Sequence, residues 1–242
     1  RVAFEEIYLH KHEFLKTVEK FNKKKSFELM INKESMDIFY SSLPFSLTSG
    51  QISAINKISN SIRDKRPSKV LIQGDVGCGK TIVAIIACYQ ALKNNHQCLV
   101  LVPTEVLCSQ HFKTFTEHLG NYGMVEMISG KNTKVEKESI KRKLYDGQIS
   151  VLIGTHALLF NDYKFRSLAI VIIDEQHKFG IKQREKISSD YEKQPHLIYM
   201  SATPIPRTLA LVLYENMNYI TIPDKPSNRD VTKTIVYDDQ SR

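Results

Sequence analysis

No stretch of this sequence stays apolar for the roughly 18 residues that a helical membrane span needs, so no membrane partner is expected. The first residues also lack the charged, apolar and small-residue pattern of a secretory signal. Glycine (10) and proline (8) are sparse, which excludes collagen-like and low-complexity compositions. No internal repeat is evident, so solenoids and propellers are excluded. Cysteine is confined to Cys78, Cys88, Cys98 and Cys108. Their even spacing fits no metal-ligand pattern. They fall in an expected loop, helix, strand and helix, so free thiols in a reducing compartment are expected, and with them a cytoplasmic location.

What is present is a chain of 242 residues, 42% of them hydrophobic. That is enough for one sizeable core plus an appendage. The net charge of +8 is compatible with nucleic acid but decides nothing alone. Residue 1 is an arginine and the first residues already carry a helical pattern, so the chain reads as an excerpt from a longer protein.

Residues 1 to about 24 read as an amphipathic helix with Phe4, Ile7, Phe14, Leu15, Val18 and Phe21 mostly at helical spacing, ended by Lys23, Lys24 and Lys25. Residues 26–42 give no clear period. From Thr48 to about Ile62 a helix places Ile52, Ile55, Ile58 and Ile62 on one face. Short apolar runs then follow at Val70–Ile72, Cys98–Val102, Met124–Ile128, Val151–Ile153, Ala169–Ile173 and Leu197–Met200. Continuous runs of this length read as strands buried on both faces of a parallel sheet. Helical stretches at about 81–94, 105–119 and 133–145 separate them. The alternation predicts an α/β fold with a doubly wound, mostly parallel sheet. Residues 223–230, with Pro223, Pro226, Ser227 and Asn228, read as a linker. Val231–Tyr237 reads as a strand that opens a further unit.

Gly74-Asp75-Val76-Gly77-Cys78-Gly79-Lys80-Thr81 matches G-x-x-x-x-G-K-[ST] in full, between an expected strand and an expected helix. Glycines let backbone N–H groups curl around phosphates, and the helix N-terminus adds its dipole. Lys80 would reach the β- and γ-phosphates of a nucleoside triphosphate, and the Thr81 hydroxyl would ligate Mg²⁺. The strand 168–173 runs directly into Asp174-Glu175-Gln176-His177. A buried strand that ends in two adjacent carboxylates is unusual without a cation, although an acidic turn after a strand reads the same way alone. Asp174 would hold Mg²⁺, directly or through water, and Glu175 would orient or deprotonate the attacking water.

These residues resemble the superfamily 2 helicases, whose DExH box Asp174-Glu175-Gln176-His177 matches. Leu43-Pro44-Phe45 with Thr48 and Gln51 resembles the adenine-reading Q motif. Val102-Pro103-Thr104-Glu105 resembles motif Ia, Gly154-Thr155-His156 motif Ib and Ser201-Ala202-Thr203 motif III. The wording Gln73-Gly74-Asp75-Val76-Gly77, Gly154 to Leu158, Ile173 to Gly180 and Ser201 to Thr208 is similar to the RecG family of bacterial branched-DNA translocases. The resemblance covers about residues 43–237, and the helix at 1–24 is similar to the segment leading into that motor. The transcription-repair coupling factor Mfd shares much of the pattern, but its box usually reads Asp-Glu-Glu. Cys78, the Ser129-Gly130 pair and Ser201 depart from the commonest residues of the RecG family. The two serines stand for threonines and keep the hydroxyl.

The resemblance implies a RecA-like P-loop domain over residues 43–222 that binds ATP and Mg²⁺. Residues 1–42 would be a helical extension and 223–242 a linker into a second motor domain. That second domain, with its arginine fingers, and a DNA-splitting wedge would lie outside the chain. The implied activity is ATP-driven remodelling of branched or forked DNA in repair and recombination. A nucleotide-gated binding module without turnover is the alternative of another class. Gln51 would contact adenine, or complete a capping box with Thr48; Phe45 would pack on the base, or staple the helix. Gln176 and His177 would couple the nucleotide site to Ser201 and Thr203, although a lone histidine in a turn is usually a surface residue. Pro103, Thr104, Gly154, Thr155 and His156 would contact DNA phosphates, although Thr104 also suits a helix N-cap. Arg207 would lie near DNA or the second domain.

Overall fold

The computed structural model describes residues 24–155, 158, 163–175, 191–203 and 217–224. In chain order its elements are α1 (Lys33–Ser41), α2 (Ser49–Ile62), β1 (Lys69–Gly74), α3 (Lys80–Lys93), β2 (Gln97–Val102), α4 (Glu105–Leu119), β3 (Met124–Ile128), α5 (Lys134–Tyr145), β4 (Ile149–Thr155), β5 (Leu168–Asp174), β6 (His196–Ser201) and β7 (Asn218–Ile222). The strands form one seven-stranded sheet in the order β3-β4-β2-β5-β6-β1-β7. Every neighbouring pair is parallel.

The continuous apolar runs become the buried centre of this sheet. Val70, Ile72, Val100, Ile170 and Ile172 point to one face, against α2, α3 and α4. Leu71, Leu99, Leu101, Val171 and Ile173 point to the other, where Ile140 and Leu144 of α5 join them. Covering both faces is what a parallel sheet requires, and the RecA-like, doubly wound expectation holds. Residues Ile82 to Leu92 of α3 are all buried, so this helix runs as a core element straight out of the phosphate loop. All four cysteines are free and buried, in the loop, helix, strand and helix that their positions implied.

Two elements were not read from the sequence, α1 and β7. Residues 26–43 also belong to the main core: Leu29, Phe39 and Leu43 pack with α2 and α3, and Phe39 stacks on Tyr89 at 4.3 Å. The stretch before α1 is strapped to the N-terminal edge of the sheet. Ser26 N–H donates to Lys65 O (2.7 Å) and Gln194 N–H to Lys25 O (2.8 Å). Pro223 and Asp224, expected to open a linker, follow β7 closely. Asp224 Oδ2 accepts from Gly50 N–H at 2.9 Å and Ser49 Oγ at 3.1 Å, placing a carboxylate at the positive end of α2. The expected helix over 1–24 and strand over 231–237 lie outside the described residues, apart from Lys24.

Candidate nucleotide site at the C-terminal edge of the sheet

Because every strand runs the same way, the segments after β1, β2, β4, β5 and β6 all emerge at one edge, where ligands of such sheets bind. The strand order sets β6 between β1 and β5. Gln73 lies opposite Ser201 and Asp174 opposite Met200. The loop Gly74–Thr81, the acidic pair Asp174-Glu175 and the segment Ser201–Thr203 therefore converge from distant parts of the chain.

The phosphate loop is held in shape by its own backbone. Gly77 and Gly79 both have φ of 83°, a region open to glycine at little cost. A side chain at Gly79 would also collide with the Gln51 amide. Asp75 Oδ1 accepts from Val76 N–H at 2.7 Å, and Cys78 N–H donates to Asp75 O at 3.2 Å. Gly79 is the N-cap of α3 and supplies no side-chain bond to it. The other four described helices each have a capping side chain, Asn32, Thr48, Thr104 and Thr133. The amides of the first turn of α3 are thus left to an anion. Lys80 Nζ donates to Gly74 O (2.7 Å) and Asp75 O (3.1 Å), which sets its ammonium against the loop. Thr81 follows as the second residue of α3.

Gln51 is 2% exposed. Its Oε1 accepts from Thr48 N–H at 2.9 Å and Thr48 Oγ1 accepts from Gln51 N–H at 3.2 Å, so the capping box forms. Its Nε2 donates to Cys78 O at 2.9 Å, which moors the phosphate loop to α2. An adenine contact would draw on the remaining N–H and lone pair. Phe45 is 44% exposed and sets its ring edge-on to His118 of α4, 6.3 Å between centroids.

Asp174 ends β5 with both oxygens engaged. Oδ1 accepts from Glu175 N–H at 3.0 Å, and Oδ2 lies 3.0 Å from His111 Nε2 on α4. Their side chains are 14% and 7% exposed. Glu175 has φ of 52°, an uncommon conformation for a residue with a side chain that marks the turn at the end of β5. At the end of β6, Thr203 N–H donates to Ser201 Oγ (3.2 Å) and the two hydroxyls lie 3.0 Å apart. Gln73 Nε2 donates to Thr203 O at 2.8 Å. His111 and Gln73 were missed from the sequence. Gln73 ends an apolar run and His111 shares the buried face of α4 with Cys108, Phe115 and Leu119, and only the strand order reveals their partners.

The residues expected to meet DNA lie across β5 from the phosphate loop. Leu101 pairs with Gly154 and Val102 with Thr155, so Pro103-Thr104 and Gly154-Thr155 are neighbours. Thr104 caps α4 by accepting from Leu107 N–H at 3.3 Å, and its own O–H remains a donor. Gly154 is closely packed: a Cβ there would meet Leu158, and Ile128 O at 3.0 Å. His156, Gln176, His177 and Arg207 lie outside the described residues. For Mg²⁺, the oxygens of Thr81 and Asp174 suit a hard cation that takes one or two protein ligands plus phosphates and water. No group of three or more potential metal-binding side chains occurs among the described residues. Among the same residues no helix is long and apolar enough to cross a membrane.

A family model for the DEAD/DEAH box helicases matches residues 48–212. The chain belongs to the DEAD/DEAH box helicase family. Within it, the chain is 39% identical over 239 residues to the ATP-dependent DNA helicase RecG of Aquifex aeolicus, covering 98% of this chain and 30% of that protein. It is 38% identical over 237 residues to RecG of Thermotoga maritima, with the same two coverages. A solved structure of RecG bound to a three-way DNA junction superposes with a TM-score of 0.82 at 37% identity, covering 95% of this chain and 31% of that one. The chain thus spans about 30% of the length of these curated relatives.

Proposed function

We propose that this chain is the first motor half of a RecG-type, ATP-dependent DNA helicase or translocase that acts on branched DNA. The observation that carries the reading is one sheet edge. It holds a glycine loop opening onto an uncapped helix, with Lys80 in the loop, and Asp174-Glu175 two strands away. The two curated relatives compared above are RecG proteins, which favours this reading over a coupling-factor translocase.

In this reading the loop amides of Gly74–Thr81 and the Lys80 ammonium bind the triphosphate of ATP. Thr81 and Asp174 hold Mg²⁺, which neutralises charge on the phosphates when bound. Glu175 positions the attacking water and takes its proton. Gln51 and Phe45 border the adenine. Ser201 and Thr203, with Gln176 and His177, relay the nucleotide state. Pro103, Thr104, Gly154, Thr155 and His156 hold DNA phosphates, which fixes position without reading sequence. The wedge and the second motor half act in cis.

The test is DNA-stimulated phosphate release by the full-length protein, wild type against Glu175→Gln. Loss of the base should lower turnover by about 10²-fold or more while ATP binding persists. A wild type that binds ATP but shows no turnover on forked DNA would favour a nucleotide-gated binding module instead.

A further inference from the structure

We infer that His111 is a positioning residue that fixes the orientation of the Asp174 carboxylate, and that through it α4 joins the nucleotide site to the DNA-contact region. This rests on the ATP-motor reading and adds to it a residue outside the helicase motifs.

Asp174 stands on the last residue of a buried strand and its side chain can turn about χ1 and χ2. Two donors stop that rotation. Glu175 N–H holds Oδ1 and His111 Nε2 holds Oδ2, and each oxygen keeps a lone pair for a cation. A carboxylate only accepts, so the proton of this hydrogen bond is on Nε2. The other ring nitrogen, Nδ1, is buried too, and no hydrogen-bond partner among the described residues reaches it. An unsatisfied buried nitrogen is costly. A phenylalanine would fill the same space beside Phe115 without that cost. What the histidine adds over an apolar ring is the donor to Asp174.

The placement of His111 gives the bond a second consequence. It lies seven residues after Thr104, the N-cap of α4, hence about 10 Å along one helix. Glu105, in the first turn, accepts from Gly130 N–H at 2.9 Å, and Cys108 and Phe115 are buried in the core. α4 is therefore a packed rod, with the proposed phosphate contact at one end and the carboxylate anchor two turns further. A DNA strand that shifts Pro103-Thr104 shifts the group that aims Asp174.

The experiment uses the full-length protein and a fluorescent, non-hydrolysable ATP analogue, with affinity measured in Mg²⁺ and in EDTA. His111→Phe keeps the ring and deletes the donor; His111→Gln returns an amide N–H at similar reach. In His111→Phe the gain in affinity on adding Mg²⁺ should fall about tenfold with the EDTA affinity unchanged, and His111→Gln should recover to within about threefold of wild type. DNA stimulation of ATP turnover should fall in parallel and recover in parallel. An unchanged Mg²⁺ gain in His111→Phe overturns the inference. So does an equal loss of affinity in EDTA together with a lowered melting temperature, which would make His111 a packing residue. A wild type with no Mg²⁺-dependent nucleotide binding removes the ATP reading itself, and the inference with it.

Discussion

Gln51 serves two structures with one amide. Its oxygen closes the cap of α2 and its nitrogen holds the phosphate loop at Cys78 O. Thr48 shares the first task only. The two substitutions therefore separate stability from binding. Thr48→Ala should cost about 1 kcal/mol in urea unfolding with nucleotide affinity unchanged. Gln51→Ala should cost about 1–2 kcal/mol and also weaken nucleotide binding, because the loop loses its mooring. Equal binding by both variants would mean that the Cys78 contact does not shape the loop. The same residues mark how far the site was legible. Lys80, Thr81, Asp174 and Glu175 stand out because their chemistry lies in a contiguous pattern. Gln73 and His111 do not, because their partners are 130 and 63 positions away and are chosen by strand order.

At the level of elements, the buried strands were legible because both of their faces are covered, so their central residues form continuous apolar runs. β7 escaped because its residues alternate instead of forming a continuous apolar run: only Ile220 and Ile222 are buried, and Asn218 and Thr221 face solvent. α1 escaped because Phe39 is its single buried residue. The segment before α1 is held by Lys65 O and Ile62 O and by the start of β6. His196 Nε2 lies 2.7 Å from Phe27 O and so carries a proton, while Nδ1 accepts from Ser68 N–H at 3.2 Å. A proton on Nδ1 would face that N–H donor to donor. Burial holds the His196 pKa below its usual value, against smaller opposing effects of Phe27 O and Asp64. The unfolded chain therefore binds the proton first. This contribution is complete above about pH 6.5 and declines as pH falls through the lower, folded value. Urea midpoints measured from neutral to mildly acid pH should drop for the wild type. His196→Asn, which retains an acceptor for Ser68, should be less stable at neutral pH and decline less steeply. Parallel declines would exclude His196 as the source.

For the whole molecule, the parallel sheet gathers one wall of the proposed ATP cleft at one edge. Asp174, Glu175 and Ser201 stand at strand ends or in the turn that leaves one, and Lys80 opens the helix that follows the loop after β1. In the proposed motor the opposite wall, with its arginine finger, comes from the second half. A finger of this kind is worth about 10³-fold or more in turnover. The 242-residue chain alone should therefore bind ATP weakly and release phosphate at least about 10³-fold more slowly than the full-length protein on forked DNA. It should not unwind that DNA, because translocation needs two halves that close and open around the nucleotide while each grips the strand. Single-turnover phosphate release and a fork-unwinding assay, run side by side on chain and full-length protein, decide the matter. Unwinding by the chain alone would mean that these residues form a complete motor. Slow turnover in both proteins, with nucleotide bound in both, would instead place the chain among nucleotide-gated binding modules.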